Sequence, residues 1–215
     1  MVLTRCSGKI RECLANVVTE KYIFQGSIPG SLDSDRSQVI ASKHRFTHRL
    51  LKQKPLKFDG GEVRIVDSTN FPISKTVAAA HVIINPGALR EMHWHPNADE
   101  WSFFIRGKAR VTIFASNGCA RTFNYQAGDV MVVLKNHAHY VENVGDGPVE
   151  MLEMFRAPRF EDFSVEQWLA QTPRTFVAEH MNLTGSRKEE FLNSLSKSPA
   201  AVKPGLKKSK SLSDM

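Results

Sequence analysis

The chain has 215 residues, 41% of them apolar and 24% charged, with a formal net charge of +7. That length supports one domain with a real core plus appendages, and no apolar run approaches the length of a membrane span. Much of the charge excess lies in Lys43, Arg45, Arg49, Lys52, Lys54 and Lys57 and in Lys203, Lys207, Lys208 and Lys210; neither cluster has a nucleic-acid-binding motif or a series of interleaved aromatics, Phe46 standing alone in the first, so both read as solvated segments without a nucleic-acid partner.

The N-terminus, MVLTRCSGKIREC, lacks the apolar region of a secretory signal. Cys6, Cys13 and Cys119 are odd in number and scattered, with no CxxC. They read as free thiols in a reducing compartment, so a cytoplasmic location and no membrane association are expected. Residues 1–21 give weak signals, with a short helix possible over Arg11–Val18. Residues 22–60 form an extended arm that starts with YIFQGSIPG and ends its first part in a Pro-Gly turn. Phe46–Leu51 is expected to cross the sheet of a neighbour or of the same domain.

From Gly61 the pattern turns to strands. Val63–Val66, Thr76–Ile84, Met92–His95, Glu100–Ile105, Ala109–Phe114, Ala120–Tyr125, Val130–Leu134, Tyr140–Asn143 and Val149–Phe155 are short, rich in β-branched and aromatic residues, and separated by turn signals. Ser116-Asn117-Gly118 marks a hairpin, since Asn-Gly suits the left-handed backbone of tight hairpin turns. Gly145-Asp146-Gly147-Pro148 marks another. Such spacing predicts an all-β sandwich or barrel over 61–160. The period becomes helical over 161–196. Ser164 with Gln167 forms a capping box, Thr172 precedes a second helix at Pro173, and Ser186 with Glu189 opens a third to about Leu195. The remaining 197–215 is basic, poor in large apolar residues, and expected to lack order.

The chemistry concentrates in GALREMHWHPNADEWSFFIRG, Gly87 to Gly107. On a strand His93 and His95 share one face. Pro96 to Asp99 can reverse the chain, which returns Glu100 beside the imidazoles. Two neutral imidazoles and a carboxylate make most of a divalent-metal site. The plainer reading, two surface histidines beside a turn, is opposed by a second histidine-bearing stretch, GDVMVVLKNHAHYVEN. There His137 and His139 have the same parity, and spacing alone does not choose between them. Glu153 lies in VEMLEMF on one face with Val149, Met151 and Phe155, where desolvation would raise its pKa. Arg90, three residues before His93, points away from that histidine in a flat strand; only a bulge brings it in.

Gly87-x5-His93-x-His95-x4-Glu100-x6-Gly107 resembles the first cupin motif in full. Gly128-x5-Leu134-x-Asn136-x2-His139-x3-Asn143 resembles the second, with Leu134 in place of its proline and Asn136 in place of its second glycine. The resemblance names His139 as the fourth metal ligand. From about Tyr22 to Leu183 the chain is similar to the C-terminal half of the two-cupin oxalate decarboxylases, in YIFQG, VRIVDSTNFPISKT, REMHWHPNADEW, ARTFNYQAGDV, HYVEN and QWLAQTP. This implies a double-stranded β-helix barrel of jelly-roll type with C-terminal helices. It also implies manganese held by His93, His95, Glu100 and His139, with dioxygen as co-substrate, and conversion of oxalate to formate and carbon dioxide. Iron in the divalent state suits the same nitrogen and oxygen donors.

The family further implies that Arg90 holds an oxalate carboxylate and that Glu153 donates the proton. Phe160 stands where relatives can carry a tyrosine near that glutamate. Those enzymes have two cupins and this chain has one, so an isolated half should pair with itself as a homodimer or larger ring. Two rival readings follow. One is an oxalate oxidase, which releases hydrogen peroxide; the other is a non-catalytic module that binds metal or a small carboxylate.

Overall fold

The computed structural model describes residues 46–195 and 202–204. The helix expected near Arg11 and the arm before Arg45 lie outside the described residues. In chain order the strands are β1 (Leu56–Phe58), β2 (Gly61–Val66), β3 (Ala78–Ile84), β4 (Ala88–Trp94), β5 (Glu100–Arg106), β6 (Lys108–Phe114), β7 (Ala120–Gln126), β8 (Val130–Val133), β9 (Ala138–Asn143), β10 (Val149–Phe155), β11 (Phe163–Ser164) and β12 (Val202–Pro204). Among the described residues Phe46–Leu51 joins no sheet of its own chain; its end enters a 3-10 turn at Leu50–Lys52.

Two antiparallel sheets hold these strands. One has the order β1-β2-β3-β10-β5-β8; the other runs β11-β4-β9-β6-β7, with β12 also paired to β4. Neighbours that are distant in sequence, such as β3 with β10 and β4 with β9, are the crossovers of a jelly roll. The fold is therefore the expected all-β double-stranded β-helix. Strict alternation decides which residues face inward. In β10 every second residue from Val149 to Phe155 is buried, and in β3 Ala78, Ala80, Val82 and Ile84 are fully buried. Of these, Ala80, Val82, Ile84, Val149 and Met151 meet Phe104 and Met131 of their own sheet, and Ala109, Val111 and Val141 of the other, in one core; Ala78 and Phe155 join Ala98 and Ala157 in a smaller cluster.

The Asn-Gly hairpin forms as expected. Phe114 pairs with Ala120, and Asn117 (φ 64°) and Gly118 (φ 69°) both take the left-handed backbone that closes it. Three helices follow the strands: α1 (Val165–Gln171), α2 (Arg174–His180) and α3 (Gly185–Ser194). Ser164 caps α1 by accepting the Gln167 amide at 3.4 Å. Thr172 does not cap α2. Its hydroxyl donates back to the Trp168 carbonyl at 2.8 Å, which ends α1 instead. Ser186 lies inside α3, whose N-cap is Thr184. Three strands escaped the sequence reading: β1, β11 and β12, the last within the stretch expected to lack order.

Candidate metal centre

Four side chains converge between the sheets, all at one end. His93 comes from β4, His139 from the neighbouring β9, and Glu100 from the first position of β5 across the core. His95 follows β4 by one residue. His93 and His139 are direct partners in the β4–β9 register, so their side chains leave the sheet together. One ligand atom from each of the four lies within 4.8 Å of the others. All four are at most 2% exposed.

Each imidazole is oriented by a carbonyl oxygen. His93 Nδ1 donates to Glu91 O at 2.6 Å, His95 Nδ1 to Glu161 O at 2.8 Å and His139 Nδ1 to His137 O at 3.1 Å. A carbonyl oxygen only accepts, so each Nδ1 carries the hydrogen and each Nε2 turns a lone pair inward. His139 Nε2 then lies 2.9 Å from Glu100 Oε2, and His95 Nε2 lies 3.1 Å from the same oxygen without hydrogen-bond geometry. His93 Nε2 is buried and has no hydrogen-bond partner among the described residues. Electron pairs this close repel one another unless a cation lies between them. The donor set of three imidazoles and a carboxylate therefore fits a divalent metal.

The charges agree. Burial, helped by the Arg90 charge and the two other imidazoles, drives His93 well below the ordinary histidine range, which keeps it neutral. Burial alone would raise Glu100, but the His139 and His95 imidazoles beside its Oε2 hold it well below the usual carboxylate range. Ser102 Oγ donates to Glu100 Oε1 at 2.5 Å and leaves Oε2 facing the imidazoles. His137, the alternative that spacing left open, stands outside the cluster and contributes only its carbonyl.

Arg90 reaches the interior by a bulge. Arg90 pairs with Val141 and His93 with His139, so three steps along β4 match two along β9. The additional residue changes the parity, and both Arg90 and His93 are buried. Arg90 Nη2 donates to Asp162 Oδ2 at 2.6 Å. Glu153 is 1% exposed and pairs across β10–β5 with Ser102, which places it beside the partner of Glu100. Burial and then the Glu100 charge push its carboxyl well above the ordinary glutamate range, against the opposing pull of Arg90.

The sequence reading missed Ser102, Asp162 and Asp67. Ser102 shares parity with Glu100 and was legible as a neighbour. Asp162 sits on a loop, where no periodicity marks direction. That loop, residues 156–162, covers the centre: Phe160 packs on His95 at 5.6 Å and Phe155 at 5.1 Å, and Asn97 Nδ2 donates to Arg159 O at 2.9 Å. Asp67 Oδ2 accepts the Phe160 amide at 3.2 Å. Pattern had a handle on Asp67, because Asp-Ser-Thr-Asn is an Asx-turn sequence and the Thr69 amide donates to its Oδ1 at 2.8 Å.

The departures from the second motif are also explained. Asn136 has φ 65°, the left-handed conformation that a glycine would take and that asparagine tolerates. Its amide donates to His95 O at 3.0 Å, tying the β8–β9 loop to the ligand hairpin. Leu134 is exposed beside it.

The chain is similar to known proteins over most of its length. Oxalate decarboxylase OxdC of Bacillus subtilis is 50% identical over 193 residues, covering 88% of this chain and 49% of that protein. An oxalate decarboxylase of Arthroderma benhamiae is 51% identical over 125 residues, 58% of this chain and 29% of that protein. The structure of the Bacillus subtilis enzyme at pH 4.6 superposes with a TM-score of 0.80 at 47% identity, over 91% of this chain and 51% of that one. Another structure of that enzyme, with the same TM-score, belongs to an assignment of the EPR fine structure of its Mn(II) centres. The chain thus spans about half the length of OxdC. The cupin model matches residues 48–189, a span that takes in the ligand hairpin, the β9 histidine and most of the jelly roll around them, and the chain belongs to the cupin family.

Proposed function

We propose that the protein is a metal-dependent, oxalate decarboxylase-type carboxy-lyase that loads manganese and converts oxalate to formate and carbon dioxide. The observation that carries this is the inward convergence of His93, His95 and His139 Nε2 with Glu100 Oε2, next to a buried arginine and the buried Glu153 carboxyl. In this reading the four donors hold Mn2+ (Fe2+ being the alternative for the same donors), with dioxygen as co-substrate as the resemblance implies. The bound metal supplies Lewis acidity toward a carboxylate oxygen and a route for electrons.

The remaining roles fall to the chain. Arg90 holds the distal carboxylate of oxalate by charge-assisted hydrogen bonds, in exchange for part of its contact with Asp162. Loss of carbon dioxide leaves the carbon that becomes formate one proton short. Glu153, kept protonated by burial and by the Glu100 charge, supplies that proton. The covering segment 156–162 excludes water, and because the four donor side chains are at most 2% exposed, admission of substrate requires that segment to move.

The test is a product assay on manganese-loaded protein given oxalate at mildly acidic pH. Equal amounts of formate and carbon dioxide are expected. Hydrogen peroxide in place of formate would assign the oxidase reading. Phe160 favours that second reading in one respect: it offers Glu153 no hydroxyl. Stoichiometric metal with no product of either kind would leave a binding module.

A further inference from the structure

Two short strands of different origin share one edge of β4. β11 pairs with Trp94 and His93, and β12 pairs with Arg90, Leu89 and Ala88. Between those pairings lie Glu91 and Met92, the residues of the bulge. Glu91 is 5% exposed. Its carboxylate accepts a hydrogen bond from Ser164 and lies 3.6 Å from Lys203 Nζ of β12. The same ammonium meets Glu166 of α1. Val202 is buried in the main core. On the opposite flank Gly60 has no side chain where β12 passes; a Cβ there would fall 2.3 Å from the Lys203 carbonyl carbon.

A bulge must be held at one place, because a slip of one residue sends every side chain to the other face. β9 alone does not fix it, since a surplus residue can sit at any step between Leu89 and His93. β11 pins the strand on one side of the surplus and β12 on the other. Lys203 also supplies the counter-charge to a buried carboxylate directly next to Arg90 in the chain. Without it Glu91 would keep only the Ser164 hydrogen bond and the Arg90 charge, and would draw the guanidinium away from the centre.

We propose that β12, through the Val202 pairing and the Lys203 ammonium, is a positioning element for Arg90: it holds the β4 bulge in the register that turns the arginine toward the metal centre. This rests on the reading of Arg90 as the residue that holds the substrate carboxylate.

The experiment uses the full chain loaded with manganese, as wild type, Lys203→Met, Lys203→Arg and Gly60→Ala. The last displaces β12 by bulk and leaves every charge in place. For Lys203→Met and Gly60→Ala, the KM for oxalate should rise about tenfold or more, as misplaced binding groups do, with kcat within about twofold. Metal stoichiometry should be unchanged, and amide exchange in peptides spanning 88–94 should be faster. Lys203→Arg should restore both. Unchanged exchange in 88–94, or a KM rise that merely tracks metal loss, overturns the proposal. If wild type turns over no oxalate, the functional reading fails separately. Exchange in 88–94 then decides the clamp alone: faster in Lys203→Met upholds it and equal in all variants overturns it. Should Gly60→Ala fail to fold, the two Lys203 variants still separate these outcomes.

Discussion

Glu153 and Glu100 are both buried carboxyls with opposite fates. Glu100 lies against the His139 and His95 imidazoles, which hold its carboxyl well below the usual carboxylate range; Glu153 has the Glu100 charge for a neighbour, and its Oε2 has no hydrogen-bond partner among the described residues. Glu153→Gln keeps the shape and removes the transferable proton. Turnover should fall by roughly a hundredfold or more, the usual range for loss of a general acid, with manganese content unchanged. Equal formate production by the two proteins would remove Glu153 from the mechanism. The same variant has a stability signature in metal-free protein. Because the folded-state pKa of Glu153 is raised, its contribution is fully present below the ordinary glutamate value and is lost as pH rises through the folded value. Glu153→Gln should therefore match wild type in urea melts at acidic pH and exceed it above that window. Ser102→Ala tests the other carboxyl. Glu100 would lose the 2.5 Å hydrogen bond that orients it, and metal affinity should drop by about 10–100-fold, as for other partners of ligating groups, measured by competition with a chelator.

Strand alternation carried most of the architecture. β2, β3, β5 to β10 and the end of β4 were legible because apolar residues recur at period two between glycines, prolines and Asn-Gly. The missing pieces fail that criterion for physical reasons. β1 and β11 have three residues and two, too short for any period. β12 reads as a basic, proline-containing tail because its hydrogen bonds come from β4, far away in the sequence. The start of β4 was obscured by its bulge, which sets Arg90 and Glu91 side by side as buried charged residues. Parity alone was bound to misplace Arg90, whereas the His-x-His pair needed only parity. The β8–β9 loop shows how an altered motif keeps its shape. At Asn136 the backbone must be left-handed, so Asn136→Gly should be within about 0.5 kcal/mol of wild type, while Asn136→Val should cost about 1–2 kcal/mol and loosen the amide bond to His95 O. Chemical denaturation of both variants measures this; equal stability would show that the loop is not held at that residue.

Among the described residues, one sheet face carries a row of exposed apolar side chains. On β5, Trp101, Phe103 and Ile105 point outward and are exposed; on its neighbour β8, Val130 and Val132 are exposed too, and Leu134 follows. The register sets Trp101 opposite Val132 and Phe103 opposite Val130, so these form one continuous apolar surface with no charge inside it. β8 is also the last strand of its sheet, an open edge of the kind that soluble proteins cover or charge. Six large apolar side chains in register make a patch of several hundred Å2, the size at which a surface marks an interface. We therefore expect a dimer, or a larger ring, at micromolar concentration, with Val132→Glu shifting the light-scattering mass to that of a monomer while circular dichroism is unchanged. A second exposed apolar surface, formed by Met92, Trp168, Phe176 and Met181 around α1 and α2, provides the control. If Phe176→Glu separates the copies and Val132→Glu does not, the helices form the contact. If wild type itself scatters as a monomer, the β5–β8 face is not a contact between copies and the expectation fails.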